Sequence, residues 1–382
     1  MDPFEKIPED YEKLCELVKS LELPPEEIFD RVKEDLDLHK RRITLGAGRS
    51  GIIADTFKDF LRNLGYEEVY GPDDVPRIFT PDDVVFSFTG SGTTKLTVRV
   101  SEIARKAGAT IIGFTSDLNT NFAKNIANYV VHIKGKSKKD SIKDYYSRQL
   151  TGTMYTPLTP LGTLFELRLL FTLLSFIGSL AGKRDTYSYY EELYKLAREY
   201  KPKPEDFRMF YKVMPKPKRK TNPWEGKIVG IGDGLSGNVC KFFLSRLSNC
   251  AKDDEERDCR FYKDCGTIKM NENDLGLVIS GCGRYLSYEL AKTVKEEIGA
   301  KIVSLTSYPD SPLGKISDVV IYVPGRIIEK VKGLRSSYMP TDPKKSIFEL
   351  RATLALESFI YAISQVEGIT EEHMRNKHSR IK

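Results

Sequence analysis

An internal repeat is the feature that most constrains the fold of this 382-residue chain. The segment Asp82–Asp117 aligns without a gap with Asn273–Tyr308, and each copy has an apolar run, a loop of small residues and a segment of helical period. The loop reads TGSGTT (Thr89–Thr94) in the first copy and SGCGRY (Ser280–Tyr285) in the second. Solenoid units repeat every 20 to 50 residues or so, and longer repeats are whole domains. The chain is therefore predicted to be a tandem duplication built around anion binding.

The similarity continues on both sides of this segment. Upstream, ITLGAGRSG (Ile43–Gly51) matches IVGIGDGLSG (Ile228–Gly237), and downstream a shared FELR places Glu166 opposite Glu349. A Pro- and Lys-rich segment without periodicity lies between the copies and is predicted to be an extended linker. The expected organisation is a first domain with N-terminal helices over 1–200, a linker over 201–226 and a second, divergent domain over 227–382.

Apolar runs alternate with helical segments in the same order in both copies. Runs such as VVFSF (Val84–Phe88) and IIGF (Ile111–Phe114) are apolar on both faces, as parallel strands covered by helices on both sides should be. We predict an α/β fold with two tandem doubly wound domains related by pseudo-twofold symmetry. Each domain should close with a long apolar helix, Thr163–Leu180 or Ser346–Ser364, and the domains should pack through these helices.

Composition limits the classes of partner. The chain has 60 basic and 54 acidic residues, so its net charge of +6 implies no broad polyanion-binding face. The basic KPKRK cluster of the linker could touch nucleic acid, but a solvated linker is the favoured interpretation. The sequence shows neither a charge-free apolar stretch of about 18 residues nor a signal-peptide pattern. We therefore expect a cytoplasmic protein with no nucleic-acid or membrane partner, and its wealth of Lys and Glu is typical of thermophiles.

The cysteines leave three alternatives open. The chain has six, at Cys15, Cys240, Cys250, Cys259, Cys265 and Cys282. Three of them lie in a charged insertion that the first copy lacks, without the paired C-x-x-C spacing of structural zinc sites. Free thiols are the default, a disulfide is the next choice, and a metal site ranks last.

Two glycine-rich loops lie where doubly wound sheets bind ligands, at the carboxyl ends of strands. GAGRSG (Gly46–Gly51) fits the dinucleotide pattern G-x-G-x-x-G, but no acidic residue ends an early second strand to hold a ribose, so nucleotide binding is disfavoured. In TGSGTT, four hydroxyls surround two glycines at a helix start, where backbone N–H groups and the helix dipole attract a dianion. A hydroxyl-rich N-cap is the alternative. Four hydroxyls exceed what a cap needs, which favours phosphate binding.

GAGRSG, TGSGTT and PLGTLFE (Pro160–Glu166), in this order and at these separations, resemble the sugar isomerase (SIS) family, and within it the 6-phospho-3-hexuloisomerases. The resemblance covers residues 25–182 well and 227–382 more loosely. It implies a five-stranded parallel sheet in each half, a sugar phosphate substrate, and neither metal nor organic cofactor. It also implies a homodimer or pseudo-tetrameric assembly with sites at subunit contacts.

The resemblance further implies roles for individual residues. Interconverting 3-hexulose 6-phosphate and fructose 6-phosphate through an enediol requires a base, and Glu166 matches the family's glutamate in GTLFE, with Glu349 as its counterpart. A helix N-terminal glutamate favoured by the dipole is the alternative. His378 matches a histidine near the end of the hexuloisomerases and is the candidate proton relay, unless it is a solvated tail residue. The expected phosphate-binding residues are Gly48, Arg49, Ser50, Thr89, Ser91, Thr93 and Thr94, with Ser236, Ser280 and Arg284 as second-half counterparts.

The second half is the more divergent copy. The first half has Arg49, Ser91 and Thr94 where the second has Leu235, Cys282 and Tyr285. Tyr285 would crowd a phosphate, whereas Arg284 can donate a bidentate contact to one. We therefore expect one competent pocket, held by the first half, with the second half supporting it or contributing His378 across the interface.

Other functions fit the same fold. One is another phosphosugar aldose–ketose isomerisation, of the phosphoglucose or phosphomannose type, or the isomerase half of an amidotransferase. A second is non-catalytic sugar-phosphate binding. The absence of a helix-turn-helix extension and of an amide-hydrolysing domain disfavours a regulator and a whole amidotransferase.

Overall fold

The computed structural model describes residues 2–19, 23–135, 158–219, 226–264, 268–328, 342–345 and 347–379. The strands are Arg41–Gly46 (β1), Val69–Tyr70 (β2), Asp83–Phe88 (β3), Thr110–Thr115 (β4), Tyr129–His132 (β5), Lys218–Arg219 (β6), Ile228–Ile231 (β7), Glu255–Glu256 (β8), Cys259–Phe261 (β9), Leu275–Ile279 (β10), Lys301–Thr306 (β11) and Val319–Tyr322 (β12). The first sheet has the order β2-β1-β3-β4-β5 and the second the order β9-β7-β10-β11-β12. All pairings within these two sheets are parallel. The predicted α/β fold with two five-stranded parallel sheets is therefore confirmed.

The helices cover the faces of both sheets. They are Ile7–Lys19 (α1), Glu26–Leu38 (α2), Arg49–Asn63 (α3), Lys95–Lys106 (α4), Thr163–Gly182 (α5), Thr186–Arg198 (α6), Pro204–Val213 (α7), Gly234–Leu247 (α8), Leu286–Thr293 (α9), Pro312–Ile316 (α10), Ile347–Glu367 (α11) and Glu371–Ser379 (α12). Short 3-10 turns lie at Pro3–Lys6, Pro160–Gly162 and Pro343–Lys345, and π-helical turns at Phe122–Ile126 and Val294–Ile298. Every residue of β3 and β10 is buried, as central strands covered on both faces should be.

The segment expected to be an extended linker contains a helix. Pro204–Val213 is helical, with Pro204 at its first position and acidic residues in its first turn, and the prediction of an extended chain is wrong there. Phe207 and Phe210 are buried on one face of this helix and lie against the ring of Phe359 in α11. Packing of these two rings on Phe359 stabilises the helix. The prolines on either side of it are the reason why the sequence predicts an extended chain.

Helix α3 of the first half packs on α8 of the second half, and α1 of the first half packs along α11 of the second. Helices α3 and α8 each follow the first strand of their sheet, and each also packs on the closing helix of its own half, α5 or α11. The prediction that the halves pack through the closing helices is correct for α11, which contacts α1 of the first half, but it missed the contact of α3 with α8. The closing helix α5 is apolar around most of its circumference because α3, α1 and α6 cover it within the chain.

Two tyrosines make the pseudo-twofold relation visible in hydrogen bonds. The hydroxyl of Tyr11 in α1 donates to the carbonyl of Ala197 in α6 at 2.8 Å, and the hydroxyl of Tyr190 in α6 donates to the carbonyl of Val18 in α1 at 2.9 Å. Both hydroxyl contacts are buried, so each satisfies a polar group that would otherwise be costly. The helices α1 and α6 are thus symmetry mates.

The arginine of each FELR tetrapeptide extends this symmetry. Arg168 donates from Nε to the carbonyl of Leu17 at the end of α1, and Arg351 donates from Nε to the carbonyl of Leu196 at the end of α6, both at 3.1 Å. Meanwhile α1 packs along α11 of the second half, and α6 packs along α5 of the first. We propose from this correspondence that the second repeat begins near Thr186, ahead of the linker boundary expected from the sequence.

A buried carboxylate in α1 predicts a pH-dependent stability. Asp10 is 4% exposed, and burial raises its pKa to about 6 from an ordinary value of 3.8. The folded state binds the proton of Asp10 more tightly than the unfolded state does. The ionised carboxylate therefore lowers the free energy of unfolding by its full amount above pH 6, and this loss disappears as the pH falls toward 4. Asp10→Asn should therefore raise the free energy of unfolding at pH 8 by about 1–3 kcal/mol, with no gain at pH 4, as measured by denaturant titration.

The neighbouring Glu9 provides the matched control for this prediction. Its hydrogen bond with Lys13 lowers its pKa, and the two side chains are 2.8 Å apart and exposed. Glu9→Gln should therefore give no stabilisation at pH 8, because the charge it removes is favourable in the folded state. An equal gain from Asp10→Asn and Glu9→Gln would contradict the role assigned to burial.

The longest apolar helix of the first half passes a length and composition test for a membrane span. Within the described part of the chain, Thr163–Gly182 is the one helix that does so, and 78% of its most apolar window is buried inside the protein. The core helix of a globular domain passes the same test. Five cysteines are free thiols, namely Cys15, Cys240, Cys250, Cys259 and Cys282, while Cys265 lies outside the described residues.

Candidate functional site

The two glycine loops of the first half lie side by side at one edge of the sheet. Strands β1 and β3 are paired, with Gly46 opposite Phe88 at their carboxyl ends. The strand order reverses between β1 and β3, since β2 lies beyond β1 and β4 beyond β3. Ligands of open α/β sheets bind in the crevice at such a switch point. The loops Gly46–Gly51 and Thr89–Thr94 both lie at this crevice.

The hydroxyls of the loop Thr89–Thr94 bond to one another and not to the helix that follows. Thr94 is the N-cap residue of α4, yet its side chain makes no cap hydrogen bond. Instead, Thr89 Oγ1 donates to Thr94 Oγ1 at 3.2 Å, and Thr93 Oγ1 donates to Ser91 Oγ at 3.0 Å. Gly92 adopts a φ of +64°, which turns the loop at low cost. The loop therefore does not form a hydroxyl-rich N-cap. Its hydroxyl groups can instead donate hydrogen bonds to an anion at the start of α4.

Glu166 lies in the first turn of α5, next to this loop. A methyl group added at Gly90 would lie 2.7 Å from the ring of Phe165, the residue before Glu166, so the absence of a side chain lets the loop contact the start of α5. Glu166 is 14% exposed in its side chain. The hydroxyl loop and the first turn of α5, which carries Glu166, are therefore in contact.

Arg49 contacts Glu166 from the other glycine loop. Its Nε lies 3.2 Å from Glu166 Oε2, and its Nη2 donates to Glu357 Oε1 of the second half at 2.5 Å. The guanidinium also lies 3.7 Å from the centroid of the Phe242 ring. Arg49 was expected to contact phosphate, but the structure directs its guanidinium to these two carboxylates. Gly48 precedes it as the N-cap of α3 with a φ of +57°, and Ser50 is half-buried.

Arg246 of the second half completes this buried charge network. Its Nη2 lies 3.8 Å from Glu166 Oε2 and donates to the carbonyl of Pro160 at 3.0 Å and to the hydroxyl of Thr163. Arg49 Nη1 donates to the same hydroxyl at 3.2 Å. Burial and the neighbouring Arg49 guanidinium lower the pKa of Arg246 to about 10, so it remains a cation at neutral pH. The network thus consists of two arginines and two glutamates from both halves, with Arg49 and Arg246 beside Glu166 and Glu357 paired with Arg49.

Glu349, the counterpart of Glu166, has different partners. Its Oε1 accepts a hydrogen bond from Ser236 at 2.8 Å and is paired with Arg326. Among the described residues, no group bonds its buried Oε2. Arg326 also lies over Gly281 of the second loop, because a methyl group at Gly281 would be 2.7 Å from its Nε. In the second half an internal cation therefore lies between the carboxylate and the loop.

The second glycine loop is also folded differently at its end. Ser280 accepts a hydrogen bond from the backbone N–H of Gly283 at 3.2 Å, and its hydroxyl lies 3.8 Å from the sulfur of Cys282. Tyr285 has a φ of +60°, where the aligned Thr94 has −63°. A left-handed conformation at a residue other than glycine is strained. Tyr285 is 47% exposed and Arg284 is exposed.

His378 lies on α12, at the carboxyl end of the second half. This helix packs against the turn Pro160–Gly162, which leads into α5 and Glu166. His378 itself is exposed. The second half thus approaches the first-half site with its last helix, while the role of His378 as a proton relay stays a prediction.

Sequence reasoning missed three charged residues around these sites: Arg246, Glu357 and Arg326. The candidate residues were selected chiefly from segments that the two copies share. These three residues are charged in one copy only, so the comparison of the copies did not identify them. A signal was present for Glu357, an acidic residue within the otherwise apolar run LALESFI, where a charge is costly unless it is paired. Its partner in the other half could not be identified from spacing alone.

Comparison with known proteins agrees with this architecture. The sequence model of the SIS domain family matches residues 36–158. An uncharacterized protein of Aeropyrum pernix is 36% identical over 163 residues, which are 41% of this chain and 74% of the relative. A 3-hexulose-6-phosphate isomerase of Methylomonas aminofaciens is 30% identical over 154 residues, 39% of this chain and 77% of the relative. Each of these relatives matches about two fifths of the chain.

A solved structure matches both halves together. The tagatose-6-phosphate ketose/aldose isomerase of Escherichia coli superposes with a TM-score of 0.59 over 97% of this chain and 94% of that protein. At 11% identity this likeness concerns the fold alone. With the family match, the relatives and the two switch-point sites taken together, the chain belongs to the SIS domain family.

Proposed function

We propose that the protein is a phosphosugar isomerase with one competent site, in the first half, and that it interconverts 3-hexulose 6-phosphate and fructose 6-phosphate. The observation that carries this proposal is the placement of Glu166 beside a loop whose hydroxyls do not cap their helix. A phosphate on the loop would hold one end of a substrate, and a carboxylate beside it would reach a carbon-bound proton. The relatives named as 3-hexulose-6-phosphate isomerases support the choice of substrate.

The reaction asks little of the protein beyond positioning and proton transfer. In the proposed mechanism Glu166 takes the proton from C2 of the 3-hexulose, and the electrons form the C2–C3 double bond of an enediol as the C3 carbonyl oxygen is protonated. Return of a proton to C3 and loss of one from the C2 oxygen give the 2-ketose. The N-terminal turn of α5 and the two arginines favour the anionic carboxylate, which is the form a base needs.

The contrast between the halves supports a single site. In the second half the side chain of Arg326 lies on the loop glycine and pairs with Glu349, so a phosphosugar would have to displace it. Tyr285 replaces a loop threonine there. A homodimer or larger assembly, a cytoplasmic location and a contribution of His378 remain part of the proposal.

The phosphate loop provides the first test. Ser91→Ala together with Thr93→Ala should raise the KM for the phosphosugar by about 100-fold or more, because two hydrogen bonds to a charged group contribute roughly 1.5–3 kcal/mol each. The unfolding transition should change little, since these hydroxyls bond mainly to one another. A coupled assay over a panel of phosphosugars, with thermal unfolding in parallel, measures both quantities.

The matched control is Ser280→Ala in the second loop, which should leave the KM within about twofold. An unchanged KM in the double variant would overturn the assignment of the phosphate site. Phosphosugar binding without turnover of any member of the panel would instead support the alternative of a sugar-phosphate-binding protein.

A further inference from the structure

The charge network around Glu166 has no equivalent around Glu349, its counterpart under the pseudo-twofold symmetry. Aligning Gly46 with Gly232 makes Phe60 the counterpart of Arg246, and aligning the FELR segments makes Leu174 the counterpart of Glu357. Leu235 is likewise the counterpart of Arg49. Three ionised side chains on one side are thus replaced by three apolar ones on the other.

The structure confirms that these apolar residues come together around Glu349. Phe60, Leu174 and Leu235 line one small cavity that Glu349 also borders. All three are buried. The same junction of α3, α8 and the closing helices is therefore built once with an ion network and once with hydrocarbon.

The apolar junction around Glu349 shows whether packing alone requires the charged residues around Glu166. A buried ion pair is weak ground for stability, since desolvation offsets much of the attraction and apolar replacements are often neutral or better. Here the apolar version exists within the same molecule, so packing alone does not require the ions. Arg246 and Glu357 are 3% and 2% exposed in their side chains; Arg246 lies beside the one carboxylate assigned to chemistry, and Glu357 pairs with Arg49, which contacts the same carboxylate.

Resting on the proposed function, in which Glu166 is the base, we propose that Arg246 and Glu357 of the second half are positioning residues for Glu166. Arg246 supplies a cation 3.8 Å from its Oε2, and both Arg246 and Arg49 donate to the hydroxyl of Thr163 one turn before it. Glu357 holds Arg49 at 2.5 Å and balances the second positive charge. In this role the second half supports the site of the first, whereas Phe60 and Leu174 of the first half place no such charges beside Glu349.

Single substitutions with opposite changes of charge test the roles. Arg246→Met removes a cation near Glu166, so the acidic limb of the kcat profile should move about one pH unit higher, and kcat on that limb should fall by up to about 10-fold. Glu357→Gln leaves an extra cation, so the acidic limb should move to lower pH. KM should change by less than about threefold in both, because the phosphate loop is untouched. A residue of merely structural importance would not shift the two profiles in opposite directions.

A double variant guards against failure to fold. Arg246→Phe with Glu357→Leu installs the residues that the mirror junction already holds, and it keeps the net charge. The variant should unfold within a few degrees of the parent and bind phosphosugars, but kcat should fall at least about 10-fold. Leu174→Met, at the mirror junction, is the packing control and should keep kcat within about twofold. A folded double variant with the parental kcat and pH profile would overturn the proposal.

The titration of Glu166 itself separates this inference from the proposed function. In protein carrying 13C-labelled glutamate carboxyls, with Glu166→Gln used to assign the signal, the midpoint of Glu166 should be about one pH unit higher in Arg246→Met than in the parent. That result is expected even if no phosphosugar is turned over, in which case the proposed function fails alone. An unmoved midpoint would contradict the positioning role whatever the activity.

Discussion

Glu166→Gln is expected to lower turnover of the phosphosugar by about 100-fold or more while leaving its binding intact, because losing a general base commonly costs two to four powers of ten. Glutamine keeps the shape of the side chain and its place in the first turn of α5. It removes the anion that Arg49 and Arg246 face. Steady-state kinetics and calorimetric titration with the same phosphosugar separate the two effects.

Glu349→Gln is the matched control, since Glu349 occupies the equivalent turn of α11. Its carboxylate is held by Ser236 and Arg326, on the side where the loop has lost its hydroxyl pattern. Activity should stay within about threefold of the parent. If Glu349→Gln abolished turnover and Glu166→Gln did not, the competent site would be in the other half.

The excised fragment 1–200 should lose at least about 99% of the activity and should self-associate. It retains the whole first sheet but loses α11, along which α1 packs, and α8, which covers α3. The apolar faces left open favour association, and Arg246 and Glu357 are absent. Light scattering after size exclusion measures the association, and kinetics on the same fractions measures the loss.

Supplying residues 201–382 as a separate chain is the control for this fragment. Co-expression should restore activity, because the two chains together contain every element of the interface. A monomeric fragment with full activity would contradict the assignment of a supporting role to the second half.

Sequence patterns were sufficient for the sheets but not for the junction between them. Apolar runs, small-residue loops and a constant alignment predict two parallel sheets, and the run Ile111–Phe114 lies within the strand Thr110–Thr115. These signals are local or repeated. The packing of α3 on α8 is neither local nor repeated, so the sequence predicted contacts of the closing helices and not this one.

The site shows the same division. Glu166 and the hydroxyl loop could be found because each is a motif with its own chemistry. Arg246 lies 80 residues beyond Glu166 in the numbering and meets it only through the interface. Its counterpart is a phenylalanine, so similarity between the copies concealed it.

The most direct test of the central claim is solvent exchange of fructose 6-phosphate in D2O, followed by NMR. An enediol between C2 and C3 exchanges the C3 proton, whereas an aldose–ketose isomerase working through a C1–C2 enediol exchanges a C1 proton. The parent protein should place deuterium at C3, and Glu166→Gln prepared in the same way should not. Deuterium at C1, or no deuterium at all, would contradict the proposed reaction.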